Sequence, residues 1–363
     1  MQTTLFCGIV AITAILAAVS ADSFHRPQHV ELVNGSLAKA FETHYDEVFP
    51  VKRLGVNLWA AIDYEVFGEG LPGIVVGRQG WLYTDEEFNV GNDFDSNIRD
   101  NLALIDRVEQ QLASENVLLI IGVVPTKAQI YPEFVGGREP ARAFAHLYDE
   151  LLASTATSAI PTADLRETLT DGKRRQPTYF RTDTHWTPWG AELAAIEMAR
   201  VIRAAGSLGV SRSVYMTRLE TVSAYRGDLF NFLPLEPYFA ALLPPQETRK
   251  VTKTEAAAPE SAGLAPKAAD LFGDTASPDV VLIGTSYSAN PRWNFAGYLK
   301  ESLGEDILTD AREGGGPFRP MAAYLHSEDF QRKHPRLVIW EIPERALVVG
   351  ANLPQFATGP QRP

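Results

Sequence analysis

Two short segments of this sequence carry the residue types that acyl transfer through a serine requires. The first, Gly284-Thr285-Ser286-Tyr287-Ser288, directly follows the apolar run Val280 to Ile283. A serine at the C-terminal end of a buried parallel strand, on a turn into a helix, stands where α/β folds place active groups. Backbone N–H groups there can stabilise an oxyanion. The same residues equally suit a plain helix N-cap. The second segment is Thr182-Asp183-Thr184-His185-Trp186-Thr187-Pro188. A serine needs a base to become nucleophilic, and a histidine needs an acid to fix its tautomer and stabilise the imidazolium. Asp183 and His185, two residues apart before a helix, can face one cleft, or form an ordinary surface pair. Trp186 and Trp189 fit a binding cleft or a core. Of the seven histidines, His185 is the best base on offer. His25 and His29 follow the leader, and His44, His146, His326 and His334 lack a matching acid.

These segments need a scaffold, and the hydrophobic pattern supplies one. Val117 to Val124, Val280 to Ile283 and Leu337 to Trp340 are unbroken apolar runs of strand length, predicted to lie side by side in one parallel sheet. Ile98, Leu102, Ile105 and Leu112 recur at helical spacing, as do Phe144, Leu147, Tyr148 and Leu151. Asn57 to Phe67 and Phe295 to Leu303 also read as helices. Thr187 can cap a helix with Pro188 at its first position, running to Gly206. Ile74 to Val76 followed by Gly77 to Tyr83 reads as a hairpin. Helices alternating with buried strands predict an α/β fold, three layers around a central, mainly parallel sheet. The expected organisation is a leader over residues 1–21, an N-terminal helical region over 22–75, one catalytic domain over 76–349 and a loose tail over 350–363. Within the domain, the Ala/Pro/Glu/Lys-rich stretch Pro244 to Lys267 reads as a loop or insertion.

The 363 residues carry a net charge of −12, which argues against nucleic acid as a partner. Binding an anionic polymer would require local basic side chains. Leu5 to Ala21 is apolar and ends in Val19-Ser20-Ala21, with small residues where a signal peptide is cleaved. Its first residues lack Lys or Arg, so an uncleaved anchor is the alternative. Either way the chain is expected to be exported to the periplasm, and an uncleaved leader would hold it at the inner membrane. The only cysteine, Cys7, lies in this leader, leaving no thiol nucleophile, disulfide or cysteine metal site beyond it. No phosphate-binding loop or metal-spaced motif is present, so neither cofactor nor metal is expected.

Together the motifs resemble the alginate O-acetyltransferases of the AlgJ/AlgX type, which carry an SGNH-hydrolase-like domain. The resemblance rests on Asp183-Thr184-His185-Trp186-Thr187-Pro188 preceding Gly284-Thr285-Ser286-Tyr287-Ser288. Four further blocks are similar: Gly80-Trp81-Leu82-Tyr83; Val124-Pro125-Thr126-Lys127 with Tyr131-Pro132; Arg312-Glu313-Gly314-Gly315-Gly316; and Trp340-Glu341-Ile342-Pro343-Glu344-Arg345. It spans roughly Gly80 to Arg345, with the acid–base pair ahead of the serine, the reverse of ordinary SGNH hydrolases. Thr285 stands where those hydrolases have Asp. The chain ends at Pro363, soon after Arg345, so the carbohydrate-binding module of one branch is not expected and the AlgJ-like branch is favoured.

The resemblance implies Ser286 as nucleophile, His185 as general base and Asp183 as its orienting acid. The oxyanion hole is expected at the Ser286 N–H with the glycine loop, Gly315 and Gly316 included. Arg312 assists it or pairs with Glu341 or Glu344. Lys127, Trp186 and Tyr287 are candidate substrate contacts. The implied partners are an alginate-like polysaccharide acceptor, a membrane-bound acetyl donor and other components of acetylation and export. An acetylesterase with the same triad and a non-catalytic scaffold of an export complex are the competing functions.

Overall fold

A computed structural model describes residues 7–8, 11–13, 15–16, 34–48, 52–206, 213–257 and 278–351. Most of the leader, residues 258–277 and the tail from 352 lie outside the described residues, and with them the expected cleavage site. Among the described residues, no helix is long and apolar enough to cross a membrane. The chain separates into two compact units. One holds the residues up to Leu71 together with Asn231–Leu243, and the other holds Pro72–Phe230 and Pro244 onward. The first contains helices Ser36–Val48 and Lys52–Ile62, the latter followed by a turn of π-helix, Asp63–Phe67. Inside this unit the Asn57 side-chain amide donates to the Pro234 carbonyl at 2.5 Å.

The larger unit begins with the hairpin β1 (Ile74–Val76) and β2 (Leu82–Thr84), antiparallel as expected. Its centre is a five-stranded sheet of β3 (Leu118–Val124), β4 (Thr162–Asp164), β7 (Val280–Ile283), β8 (Ile307–Thr309) and β9 (Leu337–Pro343). The order is β4-β3-β9-β7-β8, and every pairing is parallel. The three apolar runs picked out in the sequence are its three central strands. Their residues alternate between two cores, because successive side chains on a strand point to opposite faces. Ile120, Leu282 and Ile339 pack with Ala195, Met198 and Ile202 of helix Pro188–Ala204 and Leu299 of helix Phe295–Leu303. Ile121, Ile283 and Trp340 pack on the other face with Ile105, Val108 and Leu112 of helix Phe94–Ser114, and with Leu151 and Met321. Each buried Leu, Ile, Val or Met side chain among them stabilises the layers by roughly 1.5–3 kcal/mol. The result is the expected three-layer α/β domain.

Part of the expected 244–267 loop is instead a strand. β5 (Tyr215–Tyr225) and β6 (Glu247–Ala256) pair as a long antiparallel ribbon separate from the main sheet. Thr248, Val251, Thr252 and Thr254 are β-branched and favour extended backbone. Low hydrophobicity hid the strand, because most of the ribbon is open to solvent on one side.

Candidate active site

Parallel strands deliver their functional residues at the C-terminal edge of the sheet. β7 ends at Ile283, and Gly284 leads into the four-residue helical turn Ser286–Ala289. Thr285 is its N-cap, accepting from the Tyr287 N–H at 3.4 Å. The capping role therefore falls to Thr285, which leaves the Ser286 hydroxyl out of the cap. Asp183 and His185 lie on the loop before helix Pro188–Ala204, where Thr187 caps the helix by accepting from the Gly190 N–H at 3.2 Å. An isolated bridge between Tyr179 and Trp186 folds that loop back on itself.

The two segments meet. Ser286 Oγ lies 2.7 Å from His185 Nε2. His185 Nδ1 lies 2.7 Å from Asp183 Oδ1. The carboxylate makes Nδ1 the donor, which leaves Nε2 to accept the serine proton. Asp183 is buried and fully engaged. Oδ1 also accepts from the His185 N–H at 2.9 Å, while Oδ2 accepts from the Tyr225 hydroxyl at 2.5 Å and the Asp228 N–H at 2.9 Å. Burial alone would raise its pKa, but the hydrogen bonds and charge of His185 and the Tyr225 hydroxyl hold it down to about 2. Trp293 stacks on the imidazole with ring centroids 5.1 Å apart, and its indole N–H donates to the Ser286 carbonyl at 3.2 Å.

Asp228 is a second carboxylate at this site, its Oδ2 3.7 Å from His185 Nδ1. Burial, then repulsion from Asp183, raises its pKa. Asp183, His185 and Asp228 each place one donor atom within 4.8 Å of the others, a spacing that could hold a metal ion. Their hydrogen bonds account for the arrangement without one. Asp183 is engaged at both oxygens, and Asp228 Oδ1 accepts from the Thr184 N–H at 2.9 Å.

Beneath the serine turn lies Glu341, on β9. Its carboxylate accepts from the Thr285 N–H at 2.7 Å, from Thr285 Oγ1 at 2.9 and 3.1 Å, and from Ser288 Oγ at 3.0 Å. Burial raises its pKa, and these same bonds counter the shift. A Cβ on Gly284 would come within 2.5 Å of Glu341 Oε2, so only glycine lets the acid approach the turn. Thr285 thus hangs from a glutamate on the neighbouring strand. Glu341→Ala is expected to lower kcat on the order of 10²-fold, the effect of letting a reacting atom drift by about 1 Å. KM should change far less. Steady-state kinetics with an acetyl ester checks it, and an unchanged kcat would remove Glu341 from the positioning of Ser286.

Ser286 also opens onto a cavity of about 510 Å³, lined among others by Gly314, Gly315, Gly316, Arg319, Arg345 and Glu86. Gly314 and Gly316 have φ of 73° and 63°, the left-handed region where glycine alone is unstrained. Gly315 and Gly316 share the lining of this cavity with Ser286. Arg312 is not in that wall. It is exposed and pairs with Asp310 at 3.2 Å, while Glu341 and Glu344 have other partners. Its backbone N–H, donating to the Gly284 carbonyl at 3.1 Å, ties the loop to the serine turn.

The three expected substrate contacts are buried instead. Lys127 is 1 % exposed, and its ammonium donates to the carbonyls of Leu82, Arg181 and Asp183 at 2.6, 2.9 and 2.9 Å. Burial lowers its pKa to about 8, leaving three donors for three acceptors near neutral pH. Trp186 packs against Tyr287 and Phe295 in the core. Tyr287 donates its hydroxyl to the Thr184 carbonyl at 2.9 Å and accepts from Arg345 Nη1 at 2.9 Å. Aromatic and cationic residues flanking a motif serve core and ligand equally well, so their types could not separate the two. Tyr225, Asp228 and Trp293 went unassigned, and Glu341 was read only as a partner for Arg312, because only folding brings them to the motifs. Glu341 alone had a signal, an acid within an otherwise fully apolar strand.

This arrangement of nucleophile, base and acid suits acyl transfer, and comparison with known proteins agrees. Residues 74–344 match the family described as SGNH hydrolase-like domain, acetyltransferase AlgX. The chain is 44% identical over 351 residues to the probable alginate O-acetylase AlgJ of Azotobacter vinelandii, covering 97% of this chain and 89% of that one. It is 43% identical over 352 residues to the protein of the same name from Pseudomonas aeruginosa, covering 97% and 90%. The solved O-acetyltransferase domain of Pseudomonas putida AlgJ superposes with a TM-score of 0.71 at 36% identity, covering 80% of this chain and 96% of that domain. The chain belongs to the AlgX-type SGNH hydrolase-like acetyltransferase family.

Proposed function

We propose that this protein is a periplasmic O-acetyltransferase that carries acetyl groups on Ser286 and places them on hydroxyls of an alginate-type polysaccharide. The observation that carries the reading is the unbroken hydrogen-bonded chain from Ser286 through His185 to Asp183, in the domain of this acetyltransferase family. In the first half-reaction Ser286 Oγ attacks the acetyl carbonyl of a donor ester as His185 Nε2 takes its proton. The tetrahedral oxyanion meets the backbone N–H of Ser286 and the Gly314–Gly316 loop. His185 then returns the proton to the departing donor oxygen, leaving acetyl-Ser286. In the second half-reaction a sugar hydroxyl gives its proton to His185 and attacks the ester. Collapse of the intermediate breaks the bond to Ser286 Oγ, which recovers the proton. Asp183 stays ionised throughout and holds the imidazole, with Tyr225 and the Asp228 N–H fixing the carboxylate. The donor is proposed to be a membrane-bound partner, and other components of the acetylation and export machinery to present the polymer.

The test is incubation of the purified protein with a small acetyl ester, with and without mannuronate oligomers. The expected result is acetylated oligomer, detected by mass, with a ping-pong dependence on both substrates. Hydrolysis to free acetate with no sugar ester formed would make the protein an esterase. No turnover of either kind would make it a scaffold.

A further inference from the structure

The cavity beside Ser286 contains a cation that the mechanism above does not use. Three charged residues line it: Glu86, Arg319 and Arg345. Two are mutually satisfied. Arg345 Nε donates to Glu86 Oε2 at 2.8 Å, and Nη1 donates to the Tyr287 hydroxyl. Arg319 is different. Among the described residues it has no acid within ion-pair distance, and its guanidinium makes no side-chain hydrogen bond. It sits in the first turn of helix Phe318–Leu325, directly after the glycine loop, where the positive end of the helix adds to its field. The cavity therefore carries a net positive charge on a protein whose net charge is −12. Ser286 lines this cavity while His185 and Trp293, its other neighbours, do not, so the cavity offers a second substrate a route to the serine.

We propose that Arg319 is the residue that recognises the acceptor, pairing with the carboxylate of a uronate unit and so setting a neighbouring sugar hydroxyl in front of acetyl-Ser286. The inference rests on the polysaccharide reading and adds to it the side of the active site that the polymer occupies. Two features of the cavity fit a sugar. Its volume of about 510 Å³ lies in the range of small-ligand sites and far exceeds what an acetyl group fills. Its wall combines apolar Pro317, Phe318 and Val349 with the polar groups, as the two faces of a pyranose ring require. A planar guanidinium can take a carboxylate through two parallel hydrogen bonds, fixing direction as well as charge. Because the carboxylate is carried by the sugar itself, its capture also selects charged over neutral polymers.

The experiment compares wild-type protein with Arg319→Ala and Arg319→Lys, using mannuronate oligomers and neutral mannose oligomers of equal length as acceptors. Arg319→Ala should raise KM for the mannuronate oligomers by about tenfold or more, the effect of losing a charge-assisted pair. It should erase the preference over the neutral oligomers, and Arg319→Lys should restore part of it. Affinity is read separately by titrating mannuronate oligomers into Ser286→Ala protein with and without Arg319→Ala, with thermal melts showing that each variant is folded. A loss of about tenfold in affinity supports the proposal. Equal affinities, no binding at all, or an undiminished preference for the charged oligomer in folded Arg319→Ala protein overturns it. A wild-type protein that acetylates neither oligomer overturns the polysaccharide reading instead, and the titration then judges Arg319 without it.

Discussion

Ser286→Ala protein should form no acetyl adduct and lose acetyl transfer by a factor on the order of 10⁴ to 10⁶, while melting where the wild type melts. The size of the loss follows from the geometry. Among the described residues, Ser286 supplies the one hydroxyl on His185 Nε2, and its removal leaves a base with nothing to activate. The stability follows from the same place. The serine side chain makes its hydrogen bond within the site, whereas the bonds that hold its turn come from main chain and neighbours. Its carbonyl accepts from Trp293 and from the Asn290 N–H, and Thr285 and Ser288 are anchored on Glu341. His185→Ala should lose nearly as much activity, because residues that act as a unit are strongly non-additive. Intact-mass analysis after incubation with an acetyl ester gives the answer. An adduct that persists in Ser286→Ala protein would place the nucleophile elsewhere.

The second large effect concerns stability. Lys127→Ala should destabilise the domain by about 3–5 kcal/mol, since it strands three buried carbonyls and leaves a cavity under Trp81 and Tyr83. Those carbonyls belong to β2, to Arg181 and to Asp183, so the ammonium ties the front hairpin to the loop that presents the acid–base pair. Lys127→Arg should rescue little. A flat fork cannot reproduce the pyramid of three donors that the carbonyls surround. Denaturant unfolding measures both variants, read as a shift in midpoint at constant slope. A wild-type midpoint in Lys127→Ala protein would mean that the lysine is available to ligands after all.

The contrast between these two residues marks what the sequence discloses. Ser286, His185 and Asp183 were legible because their chemistry demands particular residue types next to recognisable strand and helix boundaries. β3, β7 and β9 were legible because a strand covered on both faces is apolar throughout. Lys127 was misassigned to the substrate because its partners are main-chain carbonyls, which every residue carries and no pattern distinguishes. β6 was hidden by its own polarity, since Arg249, Lys250 and Lys253 mark a surface whether the backbone is extended or irregular. Tyr225 and Asp228 fix the orientation of Asp183 from more than 40 residues away. Only the folded chain makes them neighbours.

The strand order has a consequence for how the molecule is assembled in time. β9, the last strand among the described residues, lies in the middle of the sheet between β3 and β7. Until it is made, the rest of the sheet is two separate ribbons, β4-β3 and β8-β7, with no hydrogen bonds between them. Closure must wait for pairings such as Leu119 with Val338, far apart along the chain, and topologies dominated by such distant contacts fold slowly. The strand that joins the two ribbons also carries Glu341, the acid from which the serine turn hangs. A chain that has not yet closed its sheet therefore has an unplaced serine, and the nucleophile takes its working position in the same event that completes the fold.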